Sequence, residues 1–263
     1  VGQPHAEMRM MAALEIPFGW YPQVIHFAGM ARRHMELYGT TEAQLGAVAT
    51  TFRRHASLCD NAVLRRGLTP EAYASAPYLA EPYRAADCCL VNDGAAAFVM
   101  TSLERARDRA KPPIAVLGIG QGVSPDGEFS TLRRDYLATA AVHAAPKAYA
   151  AAGIAPADVD FVELYDNFTG MVLQQLEDLG FCGRGEGGGF VGDGSRIALG
   201  GALPVNTAGG QLAQAFCYSA NFVVEAVRQL RGECGARQVA SAEVGLVCGY
   251  TGGQYAVAAL GRA

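Results

Sequence analysis

Two kinds of side chain in this sequence stand in contexts that suit chemistry without a metal: thiols and phenols. The thiols are Cys59, Cys88, Cys89, Cys182, Cys217, Cys234 and Cys248. Their odd number and irregular spacing argue against a disulfide framework, and no CxxC pair offers a zinc site. Each reads first as a buried free thiol in a reducing cytoplasm. Cys248 stands apart because Gly249-Tyr250-Thr251-Gly252-Gly253 follows it, and glycine backbone lets amides approach a ligand closely. The competing reading is an inert core thiol at a strand end, since reactivity needs an open, electropositive setting. Tyr165 lies in Glu163–Phe168, where a strand runs off into a loop, a common address for chemistry. The competing reading is a buried tyrosine bonded to a backbone carbonyl. Asn206, Gly209 and Gly210 come just before a helical pattern. Amides at a helix start suit an oxygen that gathers negative charge, but Asn and Gly also make plain turns and caps. His5, His26, His34, His55 and His143 show no ligand spacing; no metal site is expected, and they are assigned no role.

The elements that must position these residues alternate in type. Residues 22–38 have helical apolar spacing with Gly39 as the stop, and Thr40 or Thr41 caps a second helix to about Arg54. Residues 59–87 carry Pro70, Pro77 and Pro82 and read as loop with short helices. Short apolar strands are expected at 95–101, after the turn signal Asn92-Asp93-Gly94, and at 113–120. A charged helix spans 103–109. Residues 135–152 read as an Ala-rich helix kinked or split at Pro146 and ended by Gly153. A third strand ends at Leu164, and an amphipathic helix spans 167–179. The glycine-rich stretch 183–189 reads as loop. Residues 204–206 are short and extended, and Gly209-Gly210 opens one long helix to about Arg231. Strands at 244–248 and 255–260 close the chain. This pattern predicts an α/β domain with a mixed sheet covered by helices, with a boundary near residue 86.

Composition narrows the function classes. Apolar residues make up 51% and charged residues 17% of the 263 residues, with net charge -4. This suits a large core and argues against disorder. No basic block or basic-aromatic stripe points to nucleic acid. No apolar run is long enough to span a bilayer. The opening Val1-Gly2-Gln3-Pro4-His5 lacks the pattern of a secretory signal; Val1 in place of an initiator Met is what a trimmed chain or a fragment would show.

Five segments, in order, resemble the second half of the thiolases, in particular the lipid-transfer (SCP-x) branch. They are Ala31–Thr41 with Arg53-Arg54-His55-Ala56; Asp87–Ala97, close to that branch's "DCCPVSDGAAA" run; Glu163–Phe168 followed by Glu177–Cys182; Pro204–Leu212 continuing to Val227–Gly232; and Cys248–Gly253. The resemblance covers nearly the whole chain. It implies a thiolase-like C-terminal domain over residues 87–263, preceded by the helical, loop-rich end of a loop domain over residues 1–86. It also implies an N-terminal half, carrying the nucleophilic cysteine, that lies outside this sequence.

By the same resemblance Cys248 matches the proton-shuttle cysteine of "CxGxG". Tyr165 falls where thiolases carry Asn and SCP-x thiolases carry His. A tyrosine there resembles the steroid side-chain aldolases of this branch, which cleave β-hydroxyacyl-CoA without a cysteine nucleophile. Phe216 stands at the His of the thiolase "GHP" motif, where the aldolase branch has Tyr, and it moves no proton. Tyr218, two residues on along the expected helix, would point about 200° away. Asn167, Asn206, Gly209, Gly210, Phe216 and Gly249 are expected beside the substrate. The implied substrate is a coenzyme A thioester, with no covalently bound cofactor. The implied function is acyl transfer or carbon–carbon bond cleavage or formation beside a thioester, incomplete without the N-terminal half. The alternatives are a retro-aldolase subunit and a non-catalytic acyl-CoA-binding or scaffolding module. Partners implied are an identical subunit, the missing N-terminal half, or an OB-fold/zinc-ribbon companion, in the cytoplasm.

Overall fold

A computed structural model describes residues 12–20, 23–125 and 133–263; His5 and the chain start lie outside them, as does Pro22 at the head of the first expected helix. In chain order the elements are α1 (Gln23–Tyr38), α2 (Glu42–Ser57), α3 (Pro70–Ser75), β1 (Tyr78–Ala80), β2 (Tyr83–Arg84), α4 (Leu103–Arg107), β3 (Ile114–Val123), α5 (Ala141–Ala152), β4 (Phe161–Glu163), α6 (Thr169–Asp178), α7 (Gly187–Val191), α8 (Gly210–Ala213), α9 (Ala220–Arg231), β5 (Val244–Thr251) and β6 (Gln254–Arg262).

The main sheet has the order β3-β6-β5-β4. β6 runs antiparallel to both neighbours, and β4 runs parallel to β5. Val205 adds a parallel bridge to Val162 beyond the β4 edge. Side chains alternate across the pleat. Phe161, Val247 and Leu260 join Phe222, Ala226 and Leu230 of α9 on one face. Val162, Leu246, Cys248, Val257 and Ala259 join Ala144, Ala148, Met171 and Leu173 of α5 and α6 on the other. The sheet is therefore mixed and helix-covered, as its pattern predicts. α5 lies unusually close. A Cβ on Gly118 would come within 2.6 Å of Ala148 O and of Ala152 N, and Gly120 and Gly122 are as tightly covered by the same helix. Glycines at period two meet alanines at period four, so backbone packs on backbone.

α1 and α2 pack on α6 through Ala28, Met30, Ala31, Leu45, Val48 and Phe52, in the same core as the sheet. Thr41, not Thr40, caps α2. Its side chain accepts from Gln44 N (3.3 Å), and Gln44 Oε1 accepts from Thr41 N (2.9 Å), a reciprocal cap that satisfies two otherwise unpaired amides.

Five sequence expectations give way. The strand at 95–101 is not formed. Val99 and Met100 are exposed at 94% and 74%, and a strand needs a neighbour to take its N–H and C=O groups, which this segment lacks among the described residues. The helix expected from Asp135 begins only at Ala141, because the Asp135 carboxylate accepts from Leu137 N and Ala138 N in a turn. Pro146 stands inside that helix without splitting it; Pro146 and Val142, whose carbonyl loses its partner, are both on the exposed face. The end of the glycine stretch is helical, since α7 starts at Gly187, whose N–H donates to Glu177 Oε1 (2.8 Å).

The fifth change bears on the site. The long helix expected from Gly210 to Arg231 is broken between α8 and α9. Tyr218 (φ 48) and Ser219 (φ 67) are left-handed. Side chains take up the backbone groups of the break: Phe216 N–H donates to Asn92 Oδ1 (2.8 Å), and Asn221 Nδ2 donates to Ala215 O (3.2 Å).

Candidate active site

Three segments meet beyond the C-terminal end of β4. Residues 164–168 leave the strand. Residues 88–92 run beside them, with Cys89 N–H donating to Asn167 O (2.9 Å). Residues 209–218 lie on the far side, with Leu90 N–H donating to Gln211 O (3.0 Å).

The first three residues of the first segment, Leu164, Tyr165 and Asp166, are each held by hydrogen bonds. Asn206, fully buried, accepts from Leu164 N through Oδ1 (2.6 Å) and donates from Nδ2 to Leu164 O (3.0 Å). Gln175 of α6 accepts from Tyr165 N (3.2 Å) and donates to Tyr165 O (2.8 Å). The Asp166 carboxylate accepts from Gln211 N (2.8 Å) and Leu212 N (3.2 Å). The amides behind Gly209-Gly210, expected to meet a ligand oxygen, are thus occupied by Asp166. Burial pushes this carboxyl up to about 7, partly offset by those two N–H groups and by Asn206.

What this frame holds up is aromatic. The Tyr165 ring lies 6.3 Å from Phe216, edge to face, and 5.8 Å from Tyr250; Phe216 lies 4.7 Å from Tyr218, also edge to face. Tyr165 is 8% exposed and Tyr218 77%. Burial, followed by the nearby Cys89, Tyr218, Asp166 and Tyr250, raises the Tyr165 pKa well above its usual value, so it stands as a neutral phenol, a proton donor. Because Phe216 to Ser219 are not helical, the turn that would carry Tyr218 away does not exist. Tyr218 packs on Phe216 instead.

The other expected residues separate. Cys248 lies a layer deeper, with no exposure, in the core between β5 and α5/α6. Burial pushes its thiol up to about 12, partly offset by a hydrogen bond with Tyr255, whose hydroxyl donates to Gln175 Oε1 (2.6 Å). This is the placement of a core thiol and not of an open thiolate. Gly249 is next in β5, with nothing within 4 Å of where a Cβ would stand. Asn167 is 6% exposed, and its Oδ1 has no hydrogen-bond partner among the described residues. Asn206, Gly209 and Gly210 form the floor. Asp166, Gln175, Gln211 and Tyr250 were not singled out from sequence, and Tyr218 was expected to turn away. Asp166 beside Tyr165 carried a signal, an acid between a strand end and a helix; Gln175 and Tyr250 read only as core.

Two histidines are structural by placement. His55 is buried between Asn206 O and Leu199 N–H, and burial lowers it to about 4. His34 links Thr40 Oγ1 (2.7 Å) to Glu177 Oε1 (2.8 Å), behind a cleft of about 480 Å³ lined by Tyr38, Thr40, Cys182, Phe190 and Arg196. Among the described residues no cluster of three or more His, Cys, Asp or Glu could hold a metal, and no helix is long and apolar enough to cross a membrane.

A sheet with a parallel and an antiparallel neighbour on the same strand, helices on both faces and a site beyond the β4 end define the class. Residues 122–260 match the family described as thiolase C-terminal domain-like, and the chain belongs to that family. Among proteins it resembles, it is 40% identical over 241 residues to the 17-hydroxy-3-oxo-4-pregnene-20-carboxyl-CoA lyase of Mycobacterium tuberculosis, a match covering 90% of this chain and 62% of that one. It is 39% identical over 221 residues to a steroid side-chain-cleaving aldolase of Thermomonospora curvata, covering 82% of this chain and 56% of that one. A solved structure described as an Ltp2-ChsH2(DUF35) aldolase superposes with TM-score 0.90 at 34% identity, covering 100% of this chain and 69% of that one. The chain spans 62% and 56% of the lengths of the two named curated relatives.

Proposed function

We propose that this chain is the thiolase-fold part of an enzyme that cleaves the Cα–Cβ bond of a β-hydroxyacyl-CoA by retro-aldol chemistry. The observation that carries it is which group stands at the aromatic cluster beyond the β4 end: a neutral phenol, Tyr165, with Cys248 held in the core without exposure. The names of both relatives describe cleavage reactions, one on a hydroxylated carboxyl-CoA, and they support the same reading.

In this scheme the β-hydroxyl gives up its proton, the Cα–Cβ electron pair moves toward the thioester carbonyl, and a ketone or aldehyde leaves. Tyr165 steadies the enolate oxygen, delivers its phenolic proton to Cα and regains one from solvent. Phe216 is inert to protons, so the β-hydroxyl proton leaves toward solvent through the exposed Tyr218. No covalent cofactor is required. Residues 1–86 serve as the end of a loop domain and 87–263 as the C-terminal domain. The enzyme works as a dimer or larger assembly, with an N-terminal thiolase half or an OB-fold/zinc-ribbon companion. It does so in the cytoplasm, where its free cysteines stay reduced.

The test is mass spectrometry of 3-hydroxyacyl-CoA incubated with the complete enzyme and no added CoA. The expected result is a shortened acyl-CoA and a carbonyl product. Tyr165→Phe should lower kcat at least about a hundredfold, and Tyr218→Phe by a smaller factor. Cleavage that needs free CoA and vanishes in Cys248→Ala would replace this reading with a thiolytic one.

A further inference from the structure

Buried polar atoms almost always find a partner, because an orphaned one forfeits its hydration for nothing. Several orphans gather at this site. Asn167 Oδ1, Ser219 Oγ, Asn221 Oδ1 and both Oε1 and Nε2 of Gln211 have no hydrogen-bond partner among the described residues. They sit on interleaved backbone, since 88–92 bonds to Asn167 O on one side and to Gln211 O on the other. The same stretch holds Asn206, Tyr218 and Ser219 at positive φ, and such strain in non-glycine residues collects where a site needs it.

Gln211 is the extreme case. It is fully buried. Its backbone is spent, N–H on Asp166 and C=O on Leu90, so its position at the start of α8 is fixed. Its carboxamide has one unused acceptor and one unused donor end. A ligand that completes it must offer a donor and an acceptor a few bonds apart. A β-hydroxyacyl thioester does so with its hydroxyl and its carbonyl; the same thioester without the hydroxyl does not.

We infer that the Gln211 carboxamide is the specificity-determining group of this site. Oε1 accepts from the substrate's β-hydroxyl and Nε2 donates to its thioester oxygen. Gln211 positions the bond to be broken, while Tyr165 handles the proton. This inference rests on the retro-aldol reading for its choice of ligand, yet it concerns binding and can be tested without turnover.

The test is calorimetric binding of 3-hydroxyhexanoyl-CoA and hexanoyl-CoA to the complete enzyme, wild type and Gln211→Met, with thermal unfolding of the unliganded proteins beside it. Wild type should prefer the hydroxylated thioester by at least about tenfold, the factor that 1.4 kcal/mol makes. Gln211→Met should lose that preference, bind hexanoyl-CoA somewhat more weakly because the Nε2 donor to the thioester oxygen is gone, and unfold at the same or a higher temperature, since no partner in the free protein is lost. A preference that survives in Gln211→Met overturns the inference, as does a wild type with none; in either case the carboxamide holds ordered water only. A Gln211→Met protein that unfolds earlier or fails to fold overturns it too, because the amide then has a structural partner. Cleavage assays on the same samples separate the two claims. Discrimination that depends on Gln211 with no cleavage sinks the aldolase reading alone, and cleavage with discrimination independent of Gln211 sinks this one alone.

Discussion

Asp166→Asn is the sharpest probe of how the site is held. The wild-type carboxyl is fully buried under two backbone amides, and burial raises it from 3.8 to about 7. A carboxyl whose folded pKa lies above its unfolded value binds its proton more tightly when folded. Between the unfolded and folded values the native state carries a proton that the unfolded state has lost, so stability falls as pH rises across that window. At 1.36 kcal/mol per pH unit, the fall from about pH 4 to about pH 7 amounts to about 4 kcal/mol. Asparagine cannot ionise and removes this slope. It pays a fixed penalty instead: its oxygen serves one of the amides of Gln211 and Leu212, its NH₂ opposes the other, and the loss is about 1–3 kcal/mol at every pH. The variant should therefore be the less stable protein near pH 4 and gain on wild type steadily to about pH 8, closing or reversing the gap. Urea unfolding at intervals across that range reads the difference directly. Midpoints that stay parallel would refute the reasoning, since the carboxylate would then be ionised throughout and held by its amides against burial.

Native protein treated with iodoacetamide should leave Cys248 unlabelled in peptide mass spectrometry, and denatured protein should label it; prompt native labelling would contradict its placement in the core. His34→Ala should cost about 3–5 kcal/mol near neutral pH by stranding the buried Glu177 carboxylate. Burial raises Glu177, but hydrogen bonds from His34 and from the Gly185 and Gly187 amides more than offset this and hold it below its usual 4.5. The pair's contribution is therefore present above the unfolded value and lost as pH falls, so denaturation curves should show the variant's deficit shrinking in acid. Gly210→Ala should destabilise by about 1–3 kcal/mol, because Gly210 has φ +63 and a Cβ would strike the Asp166 carboxylate and Asn206 Nδ2. Gly249→Ala, whose Cβ meets nothing within 4 Å, should stay within about 0.5 kcal/mol; equal thermal shifts for the two would undo the contrast.

Periodicity made most of the architecture legible, because the elements that bury one face must show it. β5 and β6 alternate between the α9 side and the α5/α6 side, and α1 and α2 carry the apolar spacing that seats them on α6. The cap of α2 is legible to within one residue, since Thr40 and Thr41 both precede its apolar spacing and only the Gln44 pairing chooses Thr41. The failures share a physical cause: a pattern says what a segment can bury, not what lies opposite it. Residues 95–101 have the composition of a strand and, among the described residues, no strand to pair with. Residues 214–219 have helix-compatible composition, yet the Asn92 and Asn221 side chains claim backbone groups that a helix would have used. Asn92 lies 124 residues from Phe216, and no local signal reports that bond.

The break decides how the site is read. On a continuous helix Phe216 faces the substrate alone and Tyr218 turns away, which leaves a dead position where proton chemistry is expected. With the helix opened, the phenol two residues on packs on the Phe216 ring, and Phe216 packs on Tyr165. Cys248 moves the other way. Its glycine-rich context reads as an approach for ligand, but the pleat turns its side chain into the core, where Tyr255 receives it. A one-residue difference in facing along β5 separates Cys248 from the layer of Phe161 and Val247, and motif spacing carries no information about which face is wet. Residue types thus pointed to segments that meet beyond β4, while depth, which sets the Cys248 thiol apart from the Tyr165 phenol, came only from the packing.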